Sequence, residues 1–529
     1  DAATSADYNT AIGYTSATSL TTGGFNTALG GNTLVTATNA NNNVAVGYNA
    51  MNVTTSGTEN VAVGFAALDA NTTGTLNVAI GNNALTSATT SSRQVAVGNG
   101  ALANCTTGAD NNALGHGSLG NVTTGGFNTA LGHSAAPTLT TGSSNVAIGH
   151  TALNNSETGS FNCAIGRGAL GAYTGSSAVA VGQAALNACT SGVNNTAVGV
   201  NAASNVTTGA NNTAIGYNSL DDATTGNNNT TLGVSTGANI TTGSSNNLIG
   251  LNAGINVTTG SFNEVIGVNA LNSNQTGSNN VVMGVNGAMT ATGNANVCIG
   301  SNTFRGSNNS GSNNVAVGSS ALFAAGGASD NVAIGAAAGA DVTTGDANVL
   351  IGRTAGADLT TQANNVAVGY LSQDTATGTQ NTSVGSNALR KTTANENTAI
   401  GYFAGKEITS GSANTTIGHN SLDANTEGGS NVAIGAQALS SNTTADNNTA
   451  CGSFSLRDNT TGTGNVAIGR SALILNTTGI SNVVIGTRAA QALTTNNDNV
   501  VVGYEASYTT TGSHESAIVG YQAHYAGTG

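Results

Sequence analysis

Three histidines, His116, His133 and His150, stand seventeen residues apart. Imidazoles at a constant interval suit a shared metal or a proton relay, provided the chain returns each of them to one line. The residues at the neighbouring intervals argue against that chemistry. The same place holds Tyr14, Tyr48 and Phe65 earlier in the chain, and Arg167 and Gln183 later. A position that accepts a ring, a cation or an amide reads as an outward column tolerant of its occupant. The imidazoles are therefore expected to stack about 5 Å apart at strand spacing as surface residues.

The other candidates disperse in the same way. Of the 5 cysteines, Cys163, Cys298 and Cys451 take the Val, Ala and Ile places of a recurring Asn-Val-Ala-Ile-Gly, and Cys105 and Cys189 stand where Val122 precedes Thr123-Thr124-Gly125. They read as small hydrophobes, without the paired spacing of a disulfide framework. Acidic residues are scattered, with Asp221-Asp222 the adjacent pair. The Gly- and Asp-rich nonapeptide that binds calcium in other β-rolls is missing, and no glycine loop leads into a helix with the Lys of a phosphate site. Asn-x-Thr sequences at Asn52, Asn71, Asn121, Asn205 and Asn256 spell glycosylation acceptors, but turns favour the same residues. Thr-Thr pairs recur along one edge. Adjacent side chains of an extended segment point to opposite sides, so the pairs do not make a flat ice-binding ladder. No catalytic, cofactor-binding or metal-binding set emerges, and enzymatic activity is not expected.

What positions these residues is a repeat. Asn43-Val44-Ala45-Val46-Gly47 returns as Asn60-Val61-Ala62-Val63-Gly64 and Asn77-Val78-Ala79-Ile80-Gly81, and the register holds from Asn9 to Gly520 over about thirty-one units. A fixed period near this length signals a solenoid. The steps Gly166 to Gly182, Gly284 to Gly300, Gly369 to Gly385 and Gly385 to Gly401 are one residue short, and Gly300 to Gly318 is one long. Residues 1–8 read as a lead-in and 9–529 as a single uninterrupted solenoid domain. Alternation of large and small residues predicts a short strand with period two, Val44 and Val46 facing the core and Ala45 facing out. The bend glycine follows, then a Leu returning to the core as in Ala84-Leu85 and Ala101-Leu102, then Thr-Thr-Gly. Two punctuating glycines imply two strands per coil. The leading Asn, seen at Asn9, Asn26, Asn43 and Asn60 but replaced at Gln94, Ala178 and Ser516, is expected to bond to its counterparts above and below. The fold class is all-β, a parallel β-solenoid.

Composition narrows the function. Charged residues are 6% of 529, Gly numbers 75, Trp is absent and Pro occurs once, at Pro137. Disordered chains combine low hydrophobicity with high charge; here hydrophobic residues are 38% and regularly placed, as in a fibrous β protein. A net charge of −13 with no basic run argues against a nucleic-acid partner. No stretch approaches the roughly 18 apolar residues of a membrane span, so membrane insertion is not expected. The repeats run close to both ends of the sequence, and open solenoid ends are normally covered. The expectation is therefore either that flanking domains are absent from this chain or that the ends are used, head-to-tail stacking of end coils then propagating into a filament.

The units Asn212-Thr213-Ala214-Ile215-Gly216 and Asn431-Val432-Ala433-Ile434-Gly435 resemble the head repeats of YadA-type trimeric autotransporter adhesins, and longer units of this kind look like those of phage tail fibres. The resemblance implies a left-handed parallel β-roll assembled as a trimer. The unit here is longer than is usual in the adhesins, and no neck, heptad stalk or C-terminal barrel is recognisable. The expected function is that of a structural fibre at the cell surface, outside the cell or on a virion, self-associating as a homotrimer or head-to-tail polymer. The alternative is an adhesin or tail-fibre shaft that binds a cell surface or glycan through its outward columns.

Overall fold

The structure, a computed structural model, describes residues 6–306, 309–509, 511–512 and 514–525. Residues 1–5 of the lead-in lie outside them. The chain falls into two compact units, Asp1–Asn263 and Glu264–Gly529. Each is a parallel β-solenoid in which every repeat contributes one three-residue strand, from Thr10–Ile12 to Asn247–Ile249 in the first and from Glu264–Ile266 to Ala517–Val519 in the second. Equivalent positions pair: Thr27 with Val44, Ala28 with Ala45, Leu29 with Val46. The length changes leave this register intact. Cys163 pairs with Val179 across a short coil, and Val297 with Val315 across the long one, so the turns absorb the extra or missing residue. No helix among the described residues is long and apolar enough to cross a membrane.

The glycine that ends each strand has two reasons to be glycine. Gly47 sits at φ 132°, where side chains are disfavoured. A Cβ there would also strike the carbonyl of Gly64 in the next coil. Beyond it the expected second strand is absent. Residues two and four past the glycine adopt left-handed backbone, as at Asn83 and Leu85 with φ 54° for both, which interrupts any extended run. The backbone groups still pair between coils: the amide of Leu85 donates to the Ala101 carbonyl at 2.9 Å and that of Ser87 to Ala103 at 3.0 Å. The turn half is thus a second hydrogen-bonded ladder without strand geometry. A left-handed bulky residue is uncommon; complete burial of the Leu85 side chain offsets the strain with about 1.5–3 kcal/mol of hydrophobic stabilisation.

The core reverses the expected facing of the strand. Ala45 is 0% exposed, as are Ala62 and Ala79, whereas Leu29 is 44% and Ile12 60% exposed. Burying the larger residue is the better single choice, but volume decides. Leu68, Leu85 and Leu102 enter from the turn half and are fully buried, and the thin coil leaves only a methyl's room opposite them. The exceptions prove the constraint. Where the strand centre is Leu248, the facing turn positions of its own and the preceding coil are Gly254 and Gly237, whose added Cβ would lie 2.9 Å from a Leu248 methyl in each case. Leu350 is matched in the same way by Gly356 and Gly339, at 2.7 Å for both. Close packing conserves total volume across the core.

The leading Asn forms the expected ladder. Asn26 Oδ1 accepts from both the amide and the Nδ2 of Asn43, each at 3.0 Å, and Asn43 Nδ2 also donates to the Gly57 carbonyl at 2.9 Å. These buried amides are bonded within and between coils, which their desolvation requires. Gln94 keeps the pattern by donating from Nε2 to Gly108, and Ala178 keeps its amide bond to Asn162 Oδ1 at 3.1 Å. A second buried ladder, unannounced by the first, runs through Asn425, Asn442, Asn459 and Asn476 at 2.8–2.9 Å.

Candidate functional site

With Ala inside, the first and third residues of each strand make an outer face. Its third column is apolar throughout, for example Leu114, Leu131, Ile148, Ile165, Val181, Val198, Ile215 and Leu232, every one half-buried or exposed. Its first column mixes Val with Thr and carries Asn112, Cys163, Asn247 and Glu264 in single coils. In the later coils of the first unit the residue after the glycine is apolar as well, with Val200, Tyr217, Val234 and Leu251 exposed. Scattered exposed hydrophobes are ordinary, but contiguous patches beyond about 300–600 Å² are not, and this one recurs with each coil.

The histidine column forms as the spacing predicts. The rings of His116, His133 and His150 stack with centroids 5.1 and 5.2 Å apart and planes within 11° of parallel. Parallel rings hold their nitrogen lone pairs in parallel planes instead of directing them to one point. No group of three or more His, Cys, Asp or Glu side chains placed to hold a metal occurs among the described residues. The same outward stacking joins Tyr48 to Phe65 and Tyr504 to Tyr521, at 5.8 and 5.4 Å.

The cysteines follow their columns, and reversal of the strand reverses their exposure. Cys105 and Cys189 are buried beneath the Thr pairs, and Cys298 is buried at a strand centre; Cys163 is half-buried and Cys451 exposed on the outer face, and all five are free thiols. Burial pushes the Cys105 and Cys189 thiols up to about 11 and Cys298 up to about 12, so these three are poor nucleophiles. Of the Thr pairs, the first member is tied down: Thr72 Oγ1 donates to the Thr89 carbonyl at 2.9 Å, and Thr106 to Thr123 at 3.1 Å. The first member is half-buried at Thr72 and Thr106, where the second, Thr73 and Thr107, is exposed, and at Thr360-Thr361 both are exposed. Among the Asn-x-Thr sites Asn71 is buried and donates to Gly74 at 3.2 Å, Asn121 and Asn205 are exposed, and Asn52 and Asn256 are half-buried.

Two features escaped sequence reasoning. One is a carboxylate column, Asp341, Asp358 and Asp374. Burial, then the neighbouring Asp374 and Asp341, raise the Asp358 carboxyl above its ordinary range. Arg390 lies 3.7 Å from Asp374, beginning a run of ion pairs that includes Lys391 with Glu407 at 2.5 Å. A spacing equal to the repeat was the available signal. The other is a pair of adjoining depressions of about 330 and 260 Å³ around the short coil after Gly166. No protein-family model matches the chain, and neither a curated protein nor a solved structure shows significant similarity to it.

Proposed function

We propose that this protein is a structural fibre component, acting at a cell surface, outside the cell or on a virion, whose coils self-associate side by side through the outer strand face. The carrying observation is the apolar third column, present in each of the fifteen strands of the first unit and exposed in several, Leu114 and Leu131 among them. An apolar stripe repeating at every strand fits a second copy of the same stripe, since equal periods stay in step along any length. The mechanism is mechanical: backbone ladders and a continuous buried core in each unit resist local opening, and lateral packing removes the stripe from water. The resemblance to trimeric adhesin heads favours a homotrimer over a head-to-tail polymer.

Sedimentation analysis tests this reading. The wild type is expected to run as a trimer or larger, and the triple variant Ile215→Lys, Leu232→Lys, Ile249→Lys to shift towards the mass of one chain while keeping its β circular dichroism. A wild type that stays monomeric at all concentrations overturns the reading. The second reading, an adhesin or tail-fibre shaft that binds glycans, draws on the depressions beside Arg167, which lie on the turn half and away from the strand face.

A further inference from the structure

The depressions around the short coil are lined by glycines, amides and one cation. Their floor is Gly168, Gly171 and Ala172. In the flanking coils the places equivalent to Gly171 carry Asn154 and Asn187, so one bare place lies between two amides. Two strand spacings separate the backbones of the flanking coils by about 9.6 Å, and the Asn187 side chain takes part of that width. The larger depression is walled by Thr151, Asn154, Asn155 and Asn187. Asn187 Oδ1 occupies the space a Cβ on Gly171 would need, so its amide rests over bare backbone. The smaller depression shares Thr151, Gly168 and Asn187 and adds His150, Arg167 and Gln183. The two therefore join into one trough with a cation and a ring at one end and amides and a hydroxyl at the other.

The charges are selective. Between residues 133 and 199 the charged or titratable side chains other than cysteine and Tyr173 are His133, His150, Glu157 and Arg167. Glu157 lies on the Thr-pair turn, where its carbonyl accepts from Thr140 Oγ1 at 2.8 Å. Arg167 is exposed, and the ion pairs of the described residues involve other arginines. Arg305, Arg353 and Arg470 are likewise outside those ion pairs, and what sets Arg167 apart is the row of amides in the depressions beside it. Amides and hydroxyls match sugar hydroxyls, and a guanidinium matches a carboxylate bidentately. We propose that this trough binds an acidic saccharide, a uronic-acid unit with its carboxylate on Arg167 and its hydroxyls on Asn154, Asn155 and Asn187. The site rests on the glycan-binding reading and is independent of lateral self-association.

Two substitutions probe it without disturbing the coil. Arg167→Ala removes the cation. Gly168→Asn fills the trough; Gly168 has φ 67°, and Asn201 and Asn218, at the same place in later coils, hold φ 55° and 50°, so the fold accepts the change. Arg470→Ala is the control, because Arg470 shares the Arg167 column while Ser471 and Ile474 stand where Gly168 and Gly171 leave the floor open. Calorimetric titration of the full chain with a galacturonate trisaccharide is expected to show binding that weakens at least tenfold in Arg167→Ala, disappears in Gly168→Asn and is unchanged in Arg470→Ala. A neutral galactose trisaccharide is expected to bind at least tenfold more weakly than the acidic one. No binding of the acidic trisaccharide to the wild type overturns the proposal. Binding unaffected by both trough variants also overturns the site, while leaving glycan binding elsewhere on the chain standing. Complete competition by inorganic sulfate at equal concentration would reduce the site to an anion contact and overturn its saccharide assignment.

Discussion

The centre and the flanks of a single strand live in opposite environments. Ala197 is fully buried, while Val198, the next residue, is half-exposed on the outer face. Hydrophobicity alone would place them the other way round. What separates them is the space left by the turn half of the coil, and the strand centre takes whatever volume that half leaves. The outer residues are freed from the coil's own core, and their apolar character is what the proposed lateral packing would use.

The largest test of this contrast sets the two neighbours against each other. Ala197→Asp buries a charge without a partner and is expected to cost roughly 3–5 kcal/mol, seen as loss of hydrogen-exchange protection in the flanking coils. Val198→Asp is expected to change the stability of a dissociated chain by about 0.5 kcal/mol or less, while weakening sedimentation as an oligomer. Equal loss of protection in both would return Val198 to the core. A middle-sized effect comes from volume. Ala79→Leu overpacks against Leu85 and Leu68 and is expected to cost about 1–3 kcal/mol in denaturant unfolding. Adding Leu68→Gly and Leu85→Gly recreates the arrangement around Leu350 and should recover part of that loss; a simple sum of three losses would refute volume matching. The smallest concerns the turn half. Because the folded Asp358 carboxyl is raised above 3.8 by burial, Asp374 and Asp341, its charged form penalises folding above the folded pKa, and the penalty fades as pH falls through that value to below the unfolded one. Asp358→Asn should therefore raise the melting temperature slightly at pH 7 and leave it unchanged at about pH 3. A lower melting temperature at pH 7 would mean that the carboxylate is stabilising.

Much of this was legible in the sequence, because a repeat converts spacing into position. The strand places, the bend glycine, the inward Leu, the Asn ladder, the stacked imidazoles and the buried Cys105 and Cys189 all follow from the period. The facing of the strand did not follow. Large-small-large carries a direction only when the volume of the opposite wall is known, and Leu248 with Gly254 shows that the two walls are chosen together. The second strand was missed for a backbone reason: left-handed residues such as Asn83 and Asn201 look like ordinary turn formers one at a time, and their recurrence at every second place, as at Asn83 and Leu85, is invisible in composition. The trough beside Arg167 was hidden because the side chains absent at Gly168 and Gly171 count only when the coils on either side are stacked against them.

The Asn ladder also has a direction. Asn9 Oδ1 receives the amide of Asn26, Asn26 that of Asn43, and Asn43 that of Asn60. Each completed coil thus presents an acceptor to the segment synthesised next, never to the one before. Its partner is always about one repeat away, so the search a new coil faces does not lengthen as the chain grows. A nascent chain of this kind can template its own folding from the amino end, coil by coil, in the order in which it emerges.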